Sequence, residues 1–273
     1  MANPILKESA FTPADAGEVG YGAPDRSAMN AGMAATDFSG GDGHTMSLRG
    51  TLWASAVLGA LLLVSAACGW MLVHTTTNVF GQRQVTSFPS WIIISVLVGF
   101  GLVMLCSFKP HLSRFLAPLY AVAEGLFVGA ISHVYESAYK GIVVQAVGAT
   151  LAVFVVMLVL FVTRTIKVTN RLRSTIMAAT LGLAVFYGIS LLLNLFGVDV
   201  SFIHDASLLG IGFSVLAAGL AAFNLLLDFD VIERGIAAKA PTYFEWFAGL
   251  GLLVTIVWLY LEMLRLIAKL QRN

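Results

Sequence analysis

The sequence predicts an all-α membrane protein: a bundle of seven transmembrane helices preceded by a disordered tail. Three observations carry that expectation. The chain has 273 residues, 58% of them hydrophobic and only 11% charged, and a mean hydropathy of +0.87; soluble domains carry about 25% charge. Seven stretches stay apolar over about 20 residues, the length a helix rising about 1.5 Å per residue needs to cross a hydrocarbon core about 30 Å thick. No stretch alternates apolar and polar residues at every second position, which excludes a transmembrane β-barrel.

The elements follow in order. Residues 1–47 are rich in Gly, Ala, Ser, Asp and Thr and show no helical or strand period, so a disordered tail is expected there. It lacks a basic stretch leading directly into a short apolar core with a small-residue cleavage site, so no cleavable signal peptide is expected and the first apolar helix inserts the protein. The transmembrane domain then runs over 48–273. Its helices are expected at 50–74, 89–108, 115–135, 141–163, 175–197, 206–229 and 243–267, separated by breaks at Gly81, Pro89, Pro110, Gly141, Gly197 and Pro241. Small residues that let backbones approach stand in rows: Gly125 with Gly129 on helix three, Ala217, Ala218, Ala221 and Ala222 on helix six, Gly249 and Gly251 on helix seven. Cys68 and Cys106 each lie inside an apolar run, which excludes a disulfide framework and predicts buried packing.

A formal net charge of +1 supplies no field for a nucleic-acid backbone, so nucleic acid is excluded as the main partner. Lys and Arg concentrate in alternate loops: Lys109 and Arg114, then Arg164, Lys167, Arg171 and Arg173, then Arg234 and Lys239. Cytoplasmic loops retain positive charge, so these loops and the N-terminus are expected in the cytoplasm. Seven crossings put the C-terminus outside, against the cluster Arg265, Lys269 and Arg272, unless the last segment re-enters rather than crosses.

Ionisable groups at membrane depth cost about 2.5 to 3.5 kcal/mol each on insertion scales, which makes them the best functional pointers. Glu124 falls about ten residues into helix three, about 15 Å deep, with no base in the adjoining turns; it is expected to serve an interior proton or cation site, or to be a neutral acid bonded to a neighbouring helix. Ala217, Ala221, Asn224 and Asp228 align into one stripe on helix six, suited to a cation path, or else Asp228 is a solvated carboxylate at a helix end. Asp230 and Glu233 are expected at the interface. Glu262 shares a face with Thr255 and either joins the path or pairs with Arg265 one turn on. Carboxylates with Asn and Thr oxygens suit a hard cation such as calcium, with Asp228 as the candidate ligand. No H-E-x-x-H, complete G-x-S-x-G or Gly-rich phosphate loop is present, so neither an enzyme nor a cofactor is expected.

These residues carry a resemblance. Asn224-Leu225-Leu226-Leu227-Asp228-Phe229-Asp230-Val231-Ile232, followed by a short loop and a final helix ending Trp258-Leu259-Tyr260-Leu261-Glu262-Met263-Leu264-Arg265, resembles the Bax inhibitor-1 family of membrane proteins, in its bacterial branch. Glu124-Gly125 with Gly129 is similar to the family's third helix, and Ile142-Val143-Val144-Gln145-Ala146 through Thr150 to Phe154 to its signature on helix four. The likeness runs from about residue 50 to the end. It implies a bundle whose last helix is central, wrapped by the other six as two groups of three, in a bacterial inner membrane. It also implies a calcium leak gated by protonation, where an Asp ending helix six faces an Asp of helix seven. Asp228 matches the first; aligning the final helices by their Leu-Arg pair puts Thr255 at the second, a departure that removes one acid of the pair.

The sequence therefore predicts an integral membrane cation leak or channel, for calcium or protons, with Asp228, Glu124, Glu262, Thr255 and Asn224 along its path or gate. The alternative is a non-conducting regulator that binds a membrane protease or stress-response partner through its small-residue faces.

Overall fold

The computed structural model describes residues 45–77, 83–87, 91–197 and 207–272. The tail expected over 1–47 therefore lies outside the described residues except for its last three. Seven α-helices stand among the described residues: α1 Leu48–Met71, α2 Trp91–Phe108, α3 Ser113–Ala138, α4 Ile142–Val162, α5 Asn170–Leu195, α6 Leu208–Ala237 and α7 Tyr243–Arg272. All but α2 are long and apolar enough to cross a membrane; the apolar stretch of α2, Ile94–Phe108, is shorter. Large apolar side chains cover the outside, Leu63 at 70% exposed and Val144 at 77%, while several charged ones are buried. That inversion suits a hydrocarbon surround rather than water, and the chain is an integral membrane protein.

Polar caps fix the helix starts. Ser47, Thr169 and Ser207 accept bonds from the backbone N–H groups of Gly50, Leu172 and Gly210 at 3.0, 3.2 and 3.1 Å, satisfying amides that have no partner inside the helix. Ahead of α4, Gly141 takes φ +80°, a left-handed turn that a side chain would disfavour. The Glu136 carboxylate then accepts from the N–H groups of Gly141 and Val143 at 2.6 and 3.2 Å. A negative group at that helix start is favoured by the macrodipole.

The tightest approach is that of α1 to α3. A Cβ on Gly129 would lie 2.6 Å from the carbonyl carbon of Ala66, one on Gly125 2.5 Å from the carbonyl oxygen of Leu62, and one on Gly69 2.8 Å from the carbonyl carbon of Leu126. The glycine row thus lets two backbones meet, and Ser65 uses the closeness to bond the Ala121 carbonyl at 3.3 Å. Ala217, Ala218, Ala221 and Ala222 are all buried on α6. Helix α7 packs against α1, α3, α4 and α6, and Leu259, Glu262 and Leu264 are among its fully buried side chains.

Some findings depart from the sequence expectations. His74–Thr77 and Arg83–Ser87 pair as an antiparallel hairpin; its segments are rich in β-branched residues, Thr75-Thr76-Thr77 and Val85-Thr86, but too short to register as a period. Helix α6 continues to Ala237, beyond the expected 229, because its last turns are held by ion pairs to the α4–α5 loop and the start of α5. Cys106 is buried as expected, but Cys68 is exposed on a face of α1 shared with other exposed apolar residues. Helix α7 is continuous over 30 residues, about 45 Å at 1.5 Å per residue.

Residues 45–47 belong to the bundle. Thr45 bridges Pro241, the Met46 N–H donates to Ala240 at 2.6 Å, and the Met46 side chain is buried against Gly235, Ala240, Phe244 and Ala248.

Candidate functional site: acidic groups among the helices

Asp228 lies on α6, nine residues before the helix ends, and faces α7. Its Oδ1 is 3.6 Å from where a Cβ on Gly251 would stand, in ordinary van der Waals range of that part of α7. Thr255, one turn further along α7, places its hydroxyl beside the Asp228 carboxyl and donates it to the Gly251 carbonyl at 3.2 Å. A hydroxyl carries one proton, so the carboxylate and that carbonyl compete for it. Asp228 Oδ2 is buried with no hydrogen-bond partner. An unpaired carboxylate oxygen between two helices is costly and is chemically competent to take a proton or a cation.

The other predicted residues lie elsewhere. Glu124 faces α2 from α3, with Oε2 3.0 Å from the position of a Cβ on Gly99 and Tyr120 against the same glycine. Glu262 is 2% exposed and fully partnered: it accepts from Tyr187 at 3.0 Å, from Trp258 at 3.3 Å and from Arg265 at 3.0 Å to both oxygens. The pairing with Arg265 is the one that the spacing allowed, but inside the bundle. The Arg265 guanidinium also lies over the Tyr187 ring, 5.3 Å from its centre. Asn224 turns from the Asp228 direction toward α5, donating to Thr180 Oγ1 at 2.8 Å and to the Leu220 carbonyl at 2.9 Å. So Asp228 and Thr255 come together, whereas Glu124, Glu262 and Asn224 occupy the α2–α3, α5–α7 and α5–α6 interfaces. Among the described residues no three His, Cys, Asp or Glu side chains converge as a metal site.

Beyond Asp228, the end of α6 carries an ion-pair lattice. Asp230 pairs with Arg173 of α5 and with Arg234, the latter at 2.9 Å, and Glu233 pairs with Arg164, whose Nη1 donates at 2.9 Å. The hydrogen bond to Glu233 and its charge raise the Arg164 guanidinium above its ordinary value. Glu233 thus ties α6 to the α4–α5 loop, and Asp230 ties it to the start of α5.

Sequence reasoning missed three groups. Lys269 is buried at 4% exposure, its Nζ donating to the Gly210 carbonyl at 2.7 Å and to Ser214 Oγ at 2.9 Å. Glu245 accepts from the Ser47 N–H at 2.8 Å and from the Ser47 hydroxyl at 3.0 Å, filling the space over the α1 terminus where Gly50 has no side chain. Ser132 and Tyr260 share a buried bond of 2.7 Å. One signal was available: Thr255, Trp258, Glu262, Arg265 and Lys269 recur at intervals of three and four, a polar line along an apolar helix.

Set beside known proteins, residues 3–272 match a family model described as Bax inhibitor 1 like. No curated protein matches the chain. The match spans essentially the whole sequence, and the chain belongs to the Bax inhibitor 1 like family of membrane proteins.

Proposed function

We propose that the protein is a cation leak or channel, for calcium, of a bacterial inner membrane, with Asp228 as its gate. Seven crossings, α2 among them, a cytoplasmic N-terminus and a central α7 complete the reading; no enzymatic activity and no resident cofactor belong to it. The observation that carries it is the Asp228 carboxyl, held between α6 and α7 with one buried oxygen unpartnered, in a chain of this family. A calcium ion prefers oxygen ligands, and this is a free one at membrane depth.

Thr255 changes how such a gate works. With no second acid on α7, no proton is shared between two carboxyls. Instead the Thr255 proton is pulled toward Asp228 when that group is ionised. When Asp228 is protonated it can donate to Thr255, whose own proton then stays on Gly251. Charge on one carboxyl therefore resets one interhelical bond. Glu124, away from this interface, is a separate proton site in this reading, and Glu262 holds helices together rather than lining the path.

The small-residue rows bear on the regulator alternative. Gly125, Gly129 and the α6 alanines are used in contacts within the bundle, which lends that reading no support from these rows. The test is calcium entry into vesicles that contain the purified full chain and an entrapped calcium dye. Flux is expected, lowered at least tenfold by Asp228→Asn and retained by Glu124→Gln. Silent vesicles at every pH, or unchanged flux in Asp228→Asn, refute the assignment.

A further inference from the structure

We propose that the cleft between α1 and α4 is a phospholipid site: one acyl chain lies in the cleft and an anionic phosphate sits against Arg49. The cleft has a volume of about 650 Å³, with α1 and α4 as its lips and α3 and α7 as its floor. The two lips share no packed interface, and side chains that line them, Leu63 and Leu151, are exposed, so the opening faces the hydrocarbon phase. Along α1 it runs from Ser55 to Met71, about 24 Å at 1.5 Å per residue, longer than the roughly 15 Å depth of one leaflet's chains. One extended chain therefore fits lengthwise.

The chemistry of the walls selects a hydrocarbon. Ser132 and Tyr260 bond to each other at 2.7 Å, and Thr150 donates to the Ala146 carbonyl at 2.7 Å. Of the hydroxyls lining the cleft among the described residues, that of Ser55, at the end nearest the start of α1, is the one without a partner. Such a space offers nothing to an ion and too little to a column of water.

Charge fixes the headgroup end. On α1 the positions 49, 52, 56, 59 and 63 recur at three and four residues and lie in one line, joining the cleft at Gly59 and Leu63 to a shallow depression lined by Arg49, Leu52, Trp53 and Ala56. Arg49 is exposed, and among the described residues no carboxylate forms an ion pair with it. Trp53 is 69% exposed, a ring at the depth where amphipathic aromatics collect. Glu245 already covers the amide end of the helix, which leaves the guanidinium as the group that meets a phosphate. Moving a chain from bulk lipid into the cleft gains little hydrophobic energy, since both are apolar, so selectivity rests on the headgroup: about fivefold for one basic side chain at an anionic surface.

The experiment is native mass spectrometry of the full chain titrated with palmitoyl-oleoyl phosphatidylglycerol or phosphatidylcholine, alongside tryptophan quenching by chain-brominated phosphatidylglycerol. One phosphatidylglycerol per chain is expected, bound about fivefold more tightly than phosphatidylcholine, with Trp70 in the cleft quenched and a Trp70→Phe variant losing that component. Arg49→Gln should abolish the headgroup preference but keep the chain. Gly59→Phe, where a Cβ meets open space, should lower binding of both lipids at least tenfold. Gly148→Phe, an equally open position outside the cleft, should leave binding unchanged and shows that the insertion itself is tolerated. Binding unaltered by Gly59→Phe, preference retained in Arg49→Gln, or a stoichiometric protein in place of lipid overturns the proposal. None of these readouts depends on ion flux.

Discussion

Replacing Gly129 by alanine tests the packing on which the bundle rests. The added methyl would stand 2.6 Å from the carbonyl carbon of Ala66 and closer still to its oxygen, against an ordinary contact that begins near 3.4 Å. The shortfall at the carbon alone is 0.8 Å, and the obstacle is helical backbone that cannot rotate away. Helices α1 and α3 must therefore separate, loosening Gly69 and Gly125 in the same seam. Overpacking costs about 1 to 3 kcal/mol, and a backbone obstacle puts this case near 3, roughly 6–12 °C in Tm. Gly59→Ala is the matched control, because nothing lies within 4 Å of its Cβ position. Thermal unfolding of both variants in one detergent, followed by intrinsic fluorescence, gives the comparison. A Gly129→Ala midpoint within about 1 °C of the parent, on the same scale, would refute the reasoning.

Arg265→Met leaves Glu262 buried beside Tyr187 and Trp258 without its cation, and should cost about 3 to 5 kcal/mol of stability by chemical unfolding. Adding Glu262→Gln should recover most of that loss, and a double variant no better than the single one would show that the pair is not the cause. Glu245→Gln removes the negative charge over the start of α1 while keeping an acceptor for Ser47. A loss of about 1 kcal/mol and faster proteolysis near residue 45 are expected, and proteolysis at the parent rate would count against the anchoring of residues 45–47 by that carboxylate.

The helices were readable because hydrocarbon imposes a length and excludes charge, and both are local properties of a sequence. Their ends were less so: α6 outruns its apolar stretch because Arg173 and Arg164, far back in the chain, hold Asp230 and Glu233. Glu262 with Arg265 was legible as a spacing of three residues. The polar line on α7 reaches Lys269, but not its partners, since Gly210 and Ser214 lie more than 50 residues away and neither is ionic. For Asp228 the sequence identified the residue and, through the alignment of the last helices, its neighbour Thr255. It also grouped Asn224 with them, because a stripe on a helical wheel spans neighbours on two sides; the structure sends the amide to α5 and the carboxyl to α7.

The basic residues near the C-terminus are best considered one by one. A count of Arg265, Lys269 and Arg272 as loop charges argues for a cytoplasmic end, contrary to seven crossings. In the structure all three lie within α7. Arg265 is paired with Glu262 and Lys269 is buried on the first turns of α6, while Arg272 alone is exposed. Charge that orients a membrane protein acts from short loops during insertion, whereas charge carried into a bundle is retained by partners that form when the helices pack. Lys269 reaches the start of α6 and Asp228 the early turns of α7, as an antiparallel pair of continuous helices requires. With two of the three cations assigned to the interior, the terminal count falls to one, and the loop charges are left to set the proposed orientation.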